Sequence, residues 1–173
     1  GRAGSRCEIR ITGDDGTELP VGEVGEIRVR GDNILTRYWN NEAASAESIV
    51  DGWFRTGDMA RLDADGLYWF ADRLKHVIIS GGENIYPAEL ERVLADFDGL
   101  TEFAVVGRDD PRWGQVPVIV AARSGPTVTG DAVLAHFEGR IARFKRPKDV
   151  VFVKALPRNA LGKIVTGDLR TLF

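Results

Sequence analysis

Three groups of residues in this chain have types and spacings suited to chemistry. Thr56-Gly57-Asp58 sets a carboxylate beside a glycine. Gly-Asp reads plainly as a turn dipeptide. Its functional reading is a carboxylate held at a strand end, accepting two hydrogen bonds from a vicinal diol such as a ribose. Arg73, within Asp72-Arg73-Leu74-Lys75, reads alone as a surface or ion-paired arginine, and together with Asp58 as the second half of a polar clasp on a nucleotide. Pro157-x-x-x-x-Gly162-Lys163 places a lysine on a glycine-bearing loop. That is either a solvated side chain or a mobile cation, delivered to a phosphoryl or carboxylate oxygen as negative charge builds in a transition state.

The rest of the composition narrows the field. One cysteine, Cys7, rules out an internal disulfide and any multi-cysteine metal site. The two histidines, His76 and His136, are far apart without ligand spacing, and no Ser-His-Asp or Cys-His set can be assembled with them. There is no Walker-type phosphate loop. The formal charge of −3 gives no basic footprint for nucleic acid, and the Arg143-Phe144-Lys145-Arg146 cluster reads as solvated surface. No apolar run approaches the roughly 20 residues of a membrane span, and the N-terminus has no signal-peptide pattern, so a cytoplasmic protein is expected.

The elements that must position these groups change in kind along the 173 residues. Cys7 to Ile11 and Glu26 to Arg30 alternate apolar and charged residues, as half-buried strands do. Gly13 to Gly16 and Asp63 to Gly66 read as turns, and Asn41 as the cap of a short helix from Glu42 to Ile49. Leu67 to Phe70 and Val77 to Ile79 read as strands on either side of a polar joint, Asp72 to Lys75. The second is expected to be buried and to lead into a glycine turn at Gly81-Gly82.

Pro87 opens a helix with Leu90, Val93 and Leu94 on one face. Glu102 to Val106 and Val116 to Ala122 are strands joined by a long polar loop, with Pro117 suggesting an edge position. Thr129 caps a helix lined by Val133, Leu134, Phe137 and Ile141. Val150 to Val153 is a strand, Leu156 to Lys163 a loop, and Thr166 to Leu172 a short helix. The pattern predicts an α+β protein: a strand-rich part, then a compact α+β domain of about 100 residues with a small sheet flanked by helices.

In order, Gly52-Trp53-Phe54-Arg55-Thr56-Gly57-Asp58, Asp72-Arg73-Leu74-Lys75, Ser80 to Glu91, Val105-Val106-Gly107 and Leu156 to Lys163 resemble the C-terminal part of the adenylate-forming superfamily. This superfamily comprises acyl-CoA synthetases, peptide-synthetase adenylation domains and luciferases. The Ser80-Gly81-Gly82-Glu83-Asn84-Ile85-Tyr86-Pro87 wording is similar to acyl-CoA synthetases of fatty and shorter acids. Several relatives carry a lysine where Ile79 stands here.

The resemblance implies a two-step ligase of fatty-acid metabolism: carboxylate plus ATP to acyl-AMP, then coenzyme A to the thioester. It implies that Asp58 and Arg73 bind the adenylate ribose, Lys163 is catalytic in the first step, Lys75 is a hinge, and Gly81-Gly82 line the path of coenzyme A. Magnesium is expected only as the ATP complex, with no protein metal site.

The implied layout is residues 1–73 as the last strand-rich subdomain of a large N-terminal domain, 74–75 as hinge, and 76–173 as a mobile C-terminal domain. Lys163 and Gly81-Gly82 are expected on opposite faces of that domain. The phosphate loop, adenine segment and acyl pocket of the family lie upstream of the matched stretches. A C-terminal portion of a ligase, inactive alone, is therefore expected, with the small-molecule carboxylate, ATP, coenzyme A and the missing N-terminal part as partners. Two alternatives stand beside it: a separate coenzyme A-binding or docking module without catalysis, and part of an adenylation domain that loads a carrier protein.

Overall fold

The computed structural model describes residues 1–173 and divides into two compact units, Gly1–Lys75 and His76–Phe173.

The first unit is one antiparallel sheet. It contains β1 (Cys7–Thr12), β2 (Val24–Gly31), β3 (Ile49–Val50), β4 (Trp53–Leu62) and β5 (Tyr68–Arg73), with a short helix α1 (Glu42–Ser48) before β3. Strand order is β1-β2-β4-β3, and β5 pairs with the second half of β4. Asn41 caps α1 as its sequence implies, its side chain accepting the Ala44 N–H at 3.0 Å.

Two expectations change here. Asp72 and Arg73 belong to β5 rather than to a joint, because Met59 and Asp58 of β4 pair with them. Only the 3₁₀ turn Leu74–His76 and Val77 separate β5 from the next unit's first strand, which begins at Ile78. Thr56-Gly57-Asp58 is not at a strand end either: it lies inside β4, where the pairing with β2 shifts register between Glu26 and Arg28.

The second unit is a mixed sheet covered on both faces. Its strands are β6 (Ile78–Ser80), β7 (Glu83–Ile85), β8 (Leu100–Asp110), β9 (Gly114–Arg123) and β10 (Asp149–Phe152). β9 is the centre. It pairs antiparallel with β8 and parallel with β10, and touches β6 through Ser80 and Gly114. Helices α2 (Pro87–Leu94), α3 (Gly130–Ala135) and α4 (Thr166–Leu169) complete the unit.

Alternation along β8 and β9 splits the core between the two faces. Val105, Ile119 and Ala121 face Ile78, Ile85, Leu90, Leu94, Val133 and Phe137. Ala104, Val106, Val120 and Ala122 face Leu156 and Leu169. Each large side chain fully removed from water here contributes about 1.5–3 kcal/mol.

Several sequence expectations fail in this unit for tertiary reasons. The polar stretch 107–114 is mostly strand, and the chain reverses between Asp110 and Gly114, because Gly107 to Asp110 find ladder partners in Pro117 to Gly114. Pro117 is on the central strand, where it pairs with Gly107 and its carbonyl accepts the Lys148 N–H at 2.9 Å. Ile79 is 56% exposed, since its neighbours Ile78 and Ile85 take the core side. The Thr129-capped helix ends at Ala135, although Phe137 and Ile141 still pack where expected. The basic cluster is not simply solvated: Lys145 holds Glu89 at 2.7 Å and Arg146 lies 3.9 Å from Glu138.

Candidate functional site

Asp58 owes its place to a bulge. Between the pairs Glu26–Met59 and Arg28–Arg55, β4 carries Thr56, Gly57 and Asp58 against a single residue of β2, Ile27. Gly57 takes φ +68°, a conformation open to glycine, and Thr56 Oγ1 donates to the Ile27 carbonyl at 2.8 Å. The same hydroxyl accepts the Asp58 N–H at 3.1 Å. Glu26, only 5% exposed, accepts the Gly57 N–H at 3.2 Å through Oε1 and Arg55 Nε at 2.9 Å through Oε2. The buried Glu26 carboxylate therefore holds the bulge from behind. Nothing in the alternating charges of β2 singles it out in sequence.

Asp58 and Arg73 are direct cross-strand partners, and Arg73 Nε lies 2.6 Å from Asp58 Oδ1. That contact is an ion pair without hydrogen-bond alignment, and Oδ1 is enclosed, so Oδ2 is the oxygen left for a ligand. A carboxylate with free acceptor capacity beside an exposed guanidinium fits a vicinal diol. Lys75 is exposed in the 3₁₀ turn and is the last residue of the first unit.

In the second unit, Gly81 and Gly82 form the turn of the β6–β7 hairpin, with φ +61° and +87° and Ser80 opposite Glu83. β7 was not legible in sequence; Glu83-Asn84-Ile85 is short and mostly polar. Trp113 is the other unforeseen residue at this turn. Its carbonyl accepts the Gly81 N–H at 2.8 Å, and Arg112 lies over its ring at 4.7 Å. A side chain at position 81 would put its Cβ 2.8 Å from Trp113 Cε3, whereas position 82 has nothing within 4 Å.

Lys163 sits on a small hairpin closed by an Arg158–Ile164 bridge. Asn159 N–H donates to the Lys163 carbonyl at 2.9 Å, and Asn159 Oδ1 accepts both the Leu161 and the Lys163 N–H at 3.0 Å. Arg158 reaches Glu102 of β8 through Nη2 at 2.6 Å and the Gly162 carbonyl through Nη1 at 2.7 Å. Glu102 also accepts the Leu156 N–H at 3.0 Å. That backbone bond first, then the Arg158 guanidinium, holds the Glu102 carboxyl below the ordinary carboxylate range. Lys163 itself is exposed and forms no ion pair among the described residues.

The glycine hairpin and the lysine hairpin are anchored on different faces of one sheet. Ile78 and Ile85 enter the core of one face, Leu156 and Ile164 that of the other. No group of three or more His, Cys, Asp or Glu side chains among the described residues could hold a metal ion, and no helix is long and apolar enough to cross a membrane.

Residues 89–163 match the family model of the AMP-binding enzyme C-terminal domain. Over 173 residues the chain is 53% identical to an indoleacetate–CoA ligase of Aromatoleum aromaticum, covering 99% of this chain and 34% of that protein. It is 46% identical over 167 residues to a feruloyl-CoA synthase of an Amycolatopsis species, covering 96% of this chain and 34% of that protein. Among solved structures, ATP-bound MatB from Rhodopseudomonas palustris superposes with a TM-score of 0.91 at 35% identity, covering 99% of this chain and 35% of that one. The chain spans about a third of the length of the relatives it matches. Residues 89–163 thus match the C-terminal domain of AMP-binding enzymes, and over almost its whole length the chain is similar to about a third of each CoA ligase, consistent with a C-terminal portion of the adenylate-forming superfamily.

Proposed function

We propose that this chain is the C-terminal part of an AMP-forming acid–thiol ligase that makes acyl-CoA and needs an N-terminal part to act. In the first step a carboxylate oxygen attacks the α-phosphorus of ATP, and pyrophosphate leaves with the bonding pair. In the second, the coenzyme A sulfur attacks the acyl carbonyl carbon, AMP leaves, and the thiol proton passes to solvent.

The observation that carries this reading is Lys163: an exposed, unpaired ammonium on a hairpin whose backbone is pinned. A cation held ready in this way stabilises charge developing on carboxylate and phosphate oxygens without reorganising at the moment of reaction. Asp58 would accept hydrogen bonds from the ribose hydroxyls, and Arg73 would hold that carboxylate in place. Magnesium would enter on the nucleotide, as its ATP complex.

Gly81 and Gly82 would admit the pantetheine arm close to the backbone. Because the two hairpins are anchored on different sheet faces, one domain would serve both steps by alternating between two poses about Lys75. The similarity to named CoA ligases supports coenzyme A, rather than a carrier protein, as acceptor.

The test is product analysis on the full-length ligase with a panel of carboxylates, ATP and coenzyme A. The expected products are acyl-CoA, AMP and pyrophosphate, with none formed by this chain alone. Formation of ADP and phosphate, or acylation of a carrier thiol with coenzyme A ignored, would overturn the reading.

A further inference from the structure

We infer that Asn159, together with the Glu102–Arg158 pair, is the positioning device for Lys163: it locks the lysine's backbone so that the ammonium arrives pre-aimed in acyl-adenylate formation. The inference rests on the reading of Lys163 given above.

Asn159 grips Lys163 at both of its backbone polar groups. Its Oδ1 accepts the Lys163 N–H at 3.0 Å and its own N–H donates to the Lys163 carbonyl at 2.9 Å. The same Oδ1 accepts the Leu161 N–H, and the Asn159 carbonyl accepts the Gly162 N–H at 2.9 Å. Gly162 supplies the φ of +78° that closes the turn. A side-chain oxygen acceptor is needed for this pattern, and alanine has none.

The turn would still swing as a whole without a fixed base. Arg158 provides that base, binding Glu102 through Nε at 3.2 Å and Nη2 at 2.6 Å while Nη1 holds the Gly162 carbonyl at 2.7 Å. Glu102 lies on β8, and its other oxygen takes the Leu156 N–H at 3.0 Å. Leu156 is 4% exposed in the core, and Ile164 packs against the same cluster from the far end of the hairpin. The Val165 N–H to Pro157 carbonyl bond at 2.9 Å ties the two stems together. A rigid stem, a pinned turn and one unpaired side chain are the features of a preorganised catalytic group, not of a surface loop.

Displacing a reacting group by about 1 Å costs on the order of 100-fold in rate. Asn159→Ala is therefore expected to lower the kcat of acyl-adenylate formation in the full-length ligase by about 100-fold, with the KM for ATP nearly unchanged. Thioester formation from supplied acyl-AMP should be spared. Asn159→Asp, which keeps the oxygen acceptor, should restore most of the loss, and Arg158→Ala should impair the first step in the same selective way.

Amide hydrogen exchange on the 173-residue chain reads the clamp itself. In Asn159→Ala, exchange at Leu161 and Lys163 should rise by about five- to tenfold, while the β8–β9 amides stay protected. Unchanged exchange at Lys163 would overturn the clamp. Normal adenylation by Asn159→Ala in a protein that Lys163→Ala inactivates would overturn the positioning role alone. Normal adenylation by Lys163→Ala would overturn the reading of the lysine and, with it, this inference.

Discussion

Gly81 and Trp113 are built against each other: the Gly81 N–H donates to the Trp113 carbonyl at 2.8 Å, and the indole fills the space a side chain at 81 would need. Gly82, next in the same turn, faces open space. The two glycines therefore differ in what a substitution would meet, although both have positive φ.

Gly81→Ala should destabilise the second unit by about 2–4 kcal/mol, combining left-handed strain with overpacking against the ring. Gly82→Ala should cost only about 1 kcal/mol, from backbone strain. Urea denaturation followed by a probe in the second unit checks this, and equal losses would contradict the packing described.

Glu26 makes a prediction of similar kind in the first unit. Glu26→Ala leaves Arg55 and the Gly57 N–H without their acceptor beside a buried arginine, Arg28. A loss of about 3–5 kcal/mol is expected for the unit, as for other broken buried pairs. A change under about 1 kcal/mol by denaturant titration would show that water replaces the carboxylate easily.

Asp58→Asn keeps the shape of the side chain but removes the charge that pairs with Arg73. In the full-length ligase the KM for ATP should rise by about 10- to 100-fold, the range for a hydrogen bond to a charged group. Thermal stability should change little, because the pair is partly exposed. An unaltered KM for ATP would remove Asp58 from the nucleotide site.

Acid should loosen the second unit. Asp149, paired with Arg108, and Glu102, bonded to the Leu156 N–H and Arg158, both titrate below the ordinary carboxylate range. A carboxylate with a depressed folded pKa stabilises the fold above its unfolded pKa of about 4, and that contribution disappears as pH falls through the folded value. Stability should therefore be flat from neutral pH to about 5 and decline below about 4. Asp149→Asn and Glu102→Gln should each flatten the decline. A decline unchanged in both variants would place the acid sensitivity elsewhere.

Local chemistry made much of this legible in sequence. Asn41 and Thr129 announce helix starts because a side-chain oxygen is needed there, and Pro87 because its missing N–H costs nothing at that position. The non-local features were hidden. Gly107 to Asp110 look like loop, yet become strand because β9 supplies the partners; Pro117 sits centrally because its ladder needs are met by Gly107 and Lys148.

At the site, Asp58, Arg73, Gly81, Gly82 and Lys163 carried signals in their own neighbourhoods. Glu26, Glu102 and Trp113 did not, since each acts on residues about thirty or more positions away. Thr56 and Asn159 were supporting residues within reach of inspection, two positions before the aspartate and four before the lysine that they hold.

The central claim is that Lys163 works in the first half-reaction and not in the second. The direct measurement is Lys163→Ala in the full-length ligase, with pyrophosphate release from carboxylate and ATP followed separately from thioester formation on supplied acyl-AMP. The first should fall by several orders of magnitude and the second should stay within about twofold of wild type. Equal loss of both, or an intact first step, would contradict that claim.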